Sequence, residues 1–291
     1  MSRITRYIRS THFYSAFKTL TKPFNARDIC MTKTPDGWMA TYAGDLAIGA
    51  SIRNTGRFEE NDIAGVITLL QLKPSEKTFI DIGANIGTHS LYALRQGFAR
   101  CVCIEPDADN FLLLKVNQAL NGVEGSCINL NCAVASQTGT AILAHNPVNF
   151  GDHRLVAAAD GQLEAKTAGQ TIVPTISFDG LFEAAKINPS SVGLIWIDTQ
   201  GYEGDVLENA SLLKHHAIPA VIEFWPYGLA QSGGYSKLRH FLATGVDLKF
   251  VRIGDGVGSN CTIAMLDQYY EAHRVDVNKH TDILISTHLL Q

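Results

Sequence analysis

The chain has 291 residues, 46 % of them apolar, with 25 glycines and 9 prolines, which excludes a fibrous or largely disordered protein and allows one sizeable core without disulfides. Its formal charge is −4, from 24 basic against 28 acidic side chains, so nothing global attracts it to a phosphate backbone and nucleic acid is not an expected partner. The six cysteines (Cys30, Cys101, Cys103, Cys127, Cys132 and Cys261) form no CxxC pair and read as reduced thiols of a cytoplasmic protein. No apolar run approaches the ~20 residues of a membrane span, and no signal-peptide stretch opens the sequence.

Residues 1–27 carry Arg3, Arg6, Arg9, Lys18, Lys22 and Arg27 without one acidic side chain, interleaved with Ile4, Tyr7, Ile8, Phe13, Tyr14 and Phe17. This is the pattern of a short basic amphipathic helix, either packed on the domain with its charges in water or in weak peripheral contact with anionic lipid. Residues 36–75 suit a small sheet followed by a helix, and "LKPSEK" breaks the pattern as a turn. Then "TFIDIG" is a buried strand, "IGTHSLYALRQGF" a helix stopped at Gly97, "RCVCIEP" a strand, and "DADNFLLLKVNQALNG" a helix stopped at Gly122. "CINLNCAVAS" reads as a third strand, "GTAILAH" as the start of a hairpin, and residues 151–170 as a surface insertion without a clean period. The pattern resumes with "TIVPTISFDGLFEAAK", the buried strand "VGLIWIDTQ", a helix over "YEGDVLENASLLKHH" and the strand "AIPAVIEF". A helix near 235–243, a strand near 247–252 and a last strand through "CTIAML" would complete the sheet, leaving 271–291 as a tail. Alternation of strand and helix predicts a doubly wound, mostly parallel α/β sheet.

In such a sheet a ligand meets the carboxyl ends of the strands where strand order reverses, and the run "DIGANIG" falls there. Gly83 and Gly87 would let the backbone turn and approach the ligand, and Asp81 could accept a hydrogen bond from an amine. The run lacks the GxGxxG order and has no lysine, so it fits NAD or ATP poorly. Glu105 follows Gly83 at the end of the next strand, placed to bind both hydroxyls of a ribose. Asp107 suits the N-cap of the following helix as well as it suits a ligand.

On "FIDIGANIGTHSLYAL", "IEPD", "WIDTQGYEGDVLENA" and "VIEF", the sequence resembles the FkbM family of S-adenosylmethionine-dependent methyltransferases, a branch of the seven-stranded Rossmann-like class. The likeness runs from about Phe58 to Leu266, which implies a methyltransferase domain over 76–270 behind an extension over 1–75. It implies that Asp81, Gly83, Asn85 and Gly87 surround the methionine part of S-adenosylmethionine, that Glu105 holds its ribose, and that Asn131, Cys132 and Ala133 lie about its adenine. His89 fits a helix or hydrogen-bonding role better than that of a base.

In the second motif Asp198 closes a buried strand, where an unused carboxylate would be costly. It could orient an acceptor hydroxyl or take its proton, with Glu223 and Glu203 sharing the work and His153 as a further candidate base; Glu203 could instead serve a helix N-terminus. The family pattern has valine and glutamate between the aspartate and the glycine, whereas this chain has Thr199 and Gln200; Gln200 cannot carry charge, so it keeps a positioning role while a base or cation-ligand role at that place is put in doubt. No cysteine and histidine cluster has zinc-ligand spacing, and no metal is expected. The expected reaction is O-methylation of a sugar, glycolipid or secondary metabolite. N- or C-methylation, or a silent cofactor-binding protein, would use the same pocket, while a nicotinamide oxidoreductase is disfavoured by the glycine order. Oligomeric state is not legible.

Overall fold

The computed structural model describes residues 25–35, 37–58, 61–156, 169–244, 246–250 and 259–286. Residues 1–24 of the expected basic helix over 1–27 and most of the irregular stretch over 151–170 lie outside them. Among the described residues no helix is long and apolar enough to cross a membrane.

A hairpin of β1 (Ile29–Thr34) and β2 (Gly37–Tyr42) leads through α1 (Ile48–Thr55) and α2 (Asn61–Leu69) to the main sheet. There β3 (Thr78–Ile82), α3 (Thr88–Arg95), β4 (Arg100–Ile104), α4 (Ala108–Leu120) and β5 (Cys127–Leu130) follow the alternation expected from the sequence. Next come β6 (Ala133–Ala135), β7 (Gly139–Ala144), β8 (Arg154–Val156) and β9 (Gln170–Ser177). The chain returns through α5 (Phe178–Ala184), β10 (Val192–Ile197), α6 (Glu203–Leu207), α7 (Ser211–His215) and β11 (Ala220–Phe224). It ends with α8 (Pro226–Ser232), α9 (Tyr235–Leu242), β12 (Asp247–Phe250), β13 (Ser259–Asn260), α10 (Ile263–His273) and β14 (Thr281–Ser286).

Eight strands form the main sheet in the order β13-β12-β14-β11-β10-β3-β4-β5. From β11 to β5 all neighbours are parallel, whereas β14 runs antiparallel to both β11 and β12. The parallel strands are apolar along their length because helices cover both faces. Ile80, Ile82, Ile195, Ile197 and Ile222 pack with Phe178, Val206, Leu238 and Leu266; Phe79, Cys101, Trp196 and Val221 pack with Ile63, Val66 and Ala93 on the other side. β6, β7, β8 and β9 form a second, four-stranded sheet in the order β6-β9-β7-β8.

Four expectations need correction. "CINLNCAVAS" is two strands, because Asn131 and Cys132 break the run and β6 leaves the main sheet to pair with β9. The helix over 202–216 is two short ones, α6 and α7. "CTIAML" is not a strand: Thr262 caps the N-terminus of α10, its side chain accepting from Met265 N–H. Residues 271–286 of the expected tail over 271–291 are not a tail, since β14 inserts between β11 and β12 and buries Ile283, Leu284 and Ile285 completely. The sequence hides this because "TDILIS" is a short apolar run near the chain end with no following element to frame it.

Ile283→Ala should therefore cost about 2–5 kcal/mol, read as a lowered urea midpoint. Deletion of 271–291 should abolish cooperative unfolding, whereas removal of a tail would leave the midpoint in place.

Candidate active site

Two lobes of one cleft open at the carboxyl ends of β3, β4, β10 and β11. The inner lobe, about 520 Å³, has Glu105 at its polar end and apolar walls that include Ile104, Val134, Leu143, Phe150 and Leu155. The outer lobe, about 1050 Å³, carries Asp152, Asp198, Gln200, Glu223, His89 and His280 together with Ile48, Phe58 and Trp225. Gly83, Asn85, Gly151, Asp198 and Gln200 line both lobes and mark their junction.

The junction is set by two adjacent strands. Asp198 N–H donates to Ile82 O at 3.0 Å, and Gly83, at φ +90°, lies so near that a Cβ on it would sit 1.8 Å from Asp198 O. Only glycine fits there, for the close approach as well as for the left-handed backbone. Asp81 faces neither lobe. It is fully buried beneath the loop, accepts a hydrogen bond from Ser90 Oγ, and burial raises its acid above the ordinary range. Its expected contact with the cofactor amine is not the arrangement seen. Gly87 also lines neither lobe; in left-handed conformation it is the N-cap of α3, packed against Leu114.

Asn85 is at the junction, but its side chain is engaged locally, Nδ2 donating to Phe150 O at 3.2 Å and Oδ1 accepting from Ile86 N–H at 2.7 Å. Asn110 Nδ2 donates to the same Phe150 carbonyl at 2.8 Å, so two amides pin the segment between β7 and β8 over the cleft. That segment, which meets the expected surface insertion over 151–170 only at residues 151–153, is a wall of both lobes. Glu105 closes β4 and accepts from Asn85 N–H and Asp107 N–H, each at 2.8 Å, while burial pushes its acid up to about 8. Ala133 and Cys132 line the inner lobe as expected. Asn131 does not; its Nδ2 donates to Glu105 O at 2.8 Å and Pro106 O at 3.2 Å, holding the turn that carries Glu105.

In the second motif Asp198 and Glu223 are brought together. Gln200 Nε2 donates to Asp198 Oδ1 at 2.6 Å and to Glu223 Oε2 at 3.1 Å. Glu203 faces neither lobe and is completely buried; its Oε1 accepts from Thr199 N–H at 3.0 Å, Thr199 Oγ at 2.9 Å and Gly201 N–H at 3.2 Å. The expected catalytic Glu203 is thus a clamp on the loop that carries Gln200. His153 lines only the inner lobe, with Nδ1 accepting from Asn146 N–H at 3.0 Å, so the neutral ring keeps its proton on Nε2 and is poorly suited to be a base. Burial holds it below the ordinary histidine range. His89 lines the outer lobe and packs on Trp196, ring centroids 4.9 Å apart.

Asp107 caps α4 through Oδ1 and meets His145 Nδ1 with Oδ2 at 3.2 Å. Among the described residues, Asp107, His145 and His153 each bring a donor atom within 4.8 Å of the others, a convergence that spacing along the sequence does not reveal. The amide hydrogen on His153 Nδ1 opposes ligation through Nε2, since a metal-bound imidazole carries its proton on the other nitrogen.

Sequence reasoning missed Phe150, which lies between regular elements, Leu143 and Leu155 on β7 and β8, and the stretch before β14, where Val277, Asn278 and His280 line the outer lobe and Val277 O accepts from Trp225 Nε1 at 3.0 Å. Trp225 directly follows Phe224, the last residue of β11, and was the one available signal for that wall.

The model of the family described as Methyltransferase FkbM domain matches residues 81–238, more than half of the chain. No curated protein is recognisably similar in sequence. Among solved structures, the O-methyltransferase from Bacillus cereus in complex with S-adenosylhomocysteine (SAH) is similar at a TM-score of 0.43 and 8 % identity, covering 84 % of this chain and 83 % of that one. The precorrin-6y C5,15-methyltransferase from Geobacter metallireducens is similar at 0.39 and 10 %, covering 78 % and 89 %.

Burial pushes the Glu203 acid up from 4.5 to about 7. A carboxyl raised in the folded state stabilises fully below the unfolded value and loses that contribution as pH climbs to the folded one. Glu203→Gln, which mimics the protonated acid, should therefore gain stability relative to wild type by about 1.4 kcal/mol per pH unit between those limits. Urea unfolding at several pH values in that window measures it.

Proposed function

Because the chain belongs to the FkbM methyltransferase family, and so is an S-adenosylmethionine-dependent methyltransferase of hydroxyl groups on small molecules or sugars, we propose that the inner lobe takes the adenosine of that cofactor and the outer lobe the acceptor. The donor set supports the fit. Apolar walls at Val134, Leu143 and Leu155 make a slot for a flat base, and the Glu105 carboxylate at its end suits the two hydroxyls of a ribose. The order β5-β4-β3-β10-β11-β14-β12, with β14 reversed, supports reading the sheet as the seven-stranded fold of this class with β13 added at the edge.

One observation carries the proposal: Asp198 faces both lobes. S-adenosylmethionine supplies an electrophilic methyl carbon on a sulfonium. The acceptor oxygen forms the new C–O bond as the C–S bond breaks, the electron pair returns to sulfur, and the hydroxyl proton passes to a carboxylate. Asp198 at the junction stands where that proton and the orientation of the hydroxyl are both controlled, and Glu223 beside it can hold a neighbouring hydroxyl of the same acceptor. Gly151 lines both lobes and Phe150 the inner one, so this segment bounds the junction.

Titration of the purified protein with SAH and NADH tests the cofactor. SAH should bind and NADH should not; NADH binding without SAH binding would overturn the reading. Ribose hydroxyls donate to the ionised form of Glu105, so SAH affinity should rise with pH through about 8. Glu105→Gln should weaken binding roughly tenfold or more and remove that pH dependence. Asp198→Asn should bind SAH normally while transfer of a deuterated methyl group to hydroxylated compounds in a glycan and metabolite extract, followed by mass spectrometry, falls by roughly 10²-fold or more.

A further inference from the structure

Asn110 stands outside the motifs read from the sequence, yet it lines the inner lobe with Glu105 and is only 1 % exposed. Its backbone is fixed by the cap of α4, since Asp107 Oδ1 accepts from Asn110 N–H at 2.8 Å. Its side chain is tied at one end alone. Nδ2 donates to Phe150 O at 2.8 Å, whereas Oδ1 is buried and has no hydrogen-bond partner among the described residues. Exchanging the two ends would set the amide oxygen against the Phe150 carbonyl, two acceptors face to face, so the unpaired atom is the oxygen.

A buried amide oxygen without a donor is costly and calls for one. Adenosine in the inner lobe would bring three donor groups, two ribose hydroxyls and one exocyclic amine. Two chains of bonds link Asn110 to the ribose end. Asp107, which accepts from Asn110 N–H, donates its own N–H to Glu105 Oε1. Asn85, whose Nδ2 meets the same Phe150 carbonyl, donates its N–H to Glu105 Oε2. Both residues that hold the Glu105 carboxylate therefore also hold Asn110 in place.

We propose that Asn110 is a specificity residue for the nucleoside, its Oδ1 accepting from a ribose hydroxyl while its Nδ2 holds the Phe150 segment. The inference rests on the cofactor reading above and adds a second acceptor at the sugar. Glu105 and Asn110 together read the vicinal diol, and a ligand lacking the hydroxyl that Asn110 reads leaves the amide oxygen unpaired. That oxygen is already out of reach of water, so the hydroxyl meets it as the Phe150 segment yields to the ligand. A hydroxyl on Oδ1 polarises the amide and strengthens Nδ2 as a donor to Phe150 O. Cofactor and wall are thus joined through one side chain.

The test is a set of dissociation constants, measured calorimetrically on the full chain, for SAH, its 2′-deoxy and 3′-deoxy analogues, and the analogue lacking the exocyclic amine. In wild type each deoxy analogue should bind more weakly than SAH, through Glu105 and, for one of them, through Asn110 as well. Asn110→Leu, or Asn110→Ala if the leucine variant does not fold, should reduce the discrimination against one deoxy analogue roughly tenfold. The share of Glu105 is common to wild type and variant and cancels. A purely structural role, in which Asn110 only pins Phe150, would weaken every ligand alike and leave all ratios as in wild type. Asn85→Ala should give that uniform pattern, because it removes the other amide from the Phe150 carbonyl and leaves Asn110 Oδ1 in place. Unchanged ratios in the Asn110 variant, or a change confined to the analogue without the amine, would overturn the inference while leaving the cofactor reading intact. Failure of wild type to bind SAH would instead overturn the cofactor reading and this inference with it.

Discussion

The close approach of Gly83 to the Asp198 carbonyl is the constraint from which the cleft follows. β3 and β10 lie side by side, and the last register pair, Ile82 with Ile197, hands the chain to two loops that nearly touch. A single methyl group on Gly83 would part them, and with them the two halves of the site, since one loop leads to Asn85 and the Glu105 contact and the other carries Asp198 and Gln200. The glycine is therefore less a phosphate-type turn than a spacer of zero width.

Around that contact, neutral donors reach several acids. Glu105 is tied by two backbone amides, Glu203 by two amides and a hydroxyl, and Asp81 accepts from a serine, while one glutamine bridges Asp198 and Glu223. Among the described residues lining either lobe there is no lysine or arginine, while Arg154, paired with Asp152, lies over the Trp225 ring. Burying acids on hydrogen bonds alone is costly, and the raised acids of Glu105 and Glu203 are the visible form of that cost.

The sequence was most readable where periodicity and strand ends coincide. The run Thr78–Ile82, the helix after Gly87 and the strand ending at Glu105 are all framed by glycines or charged residues, so their order and the ligand-bearing ends could be located. Side-chain direction was not readable: Asp81, Asn85, Asn131 and Glu203 stand at the expected positions yet turn their groups into the scaffold, toward partners as near in sequence as Thr199 and Ser90 and as distant as Glu105 and Phe150. The walls were hidden for a second reason. Phe150 sits in a segment with no regular period, and His280 precedes a strand whose only neighbours, β11 and β12, are known from pairing and not from local pattern.

That strand has a consequence in time. β14 is the last described element to be synthesised, yet it lies inside the sheet and the segment before it supplies Val277, Asn278 and His280 to the outer lobe. A nascent chain can assemble β3, β4, β5 and β10 before residues 281–286 emerge, but it cannot join β12 to β11 until they do. During translation the inner lobe thus precedes one wall of the outer lobe, and until β14 inserts the sheet has an open edge at β11.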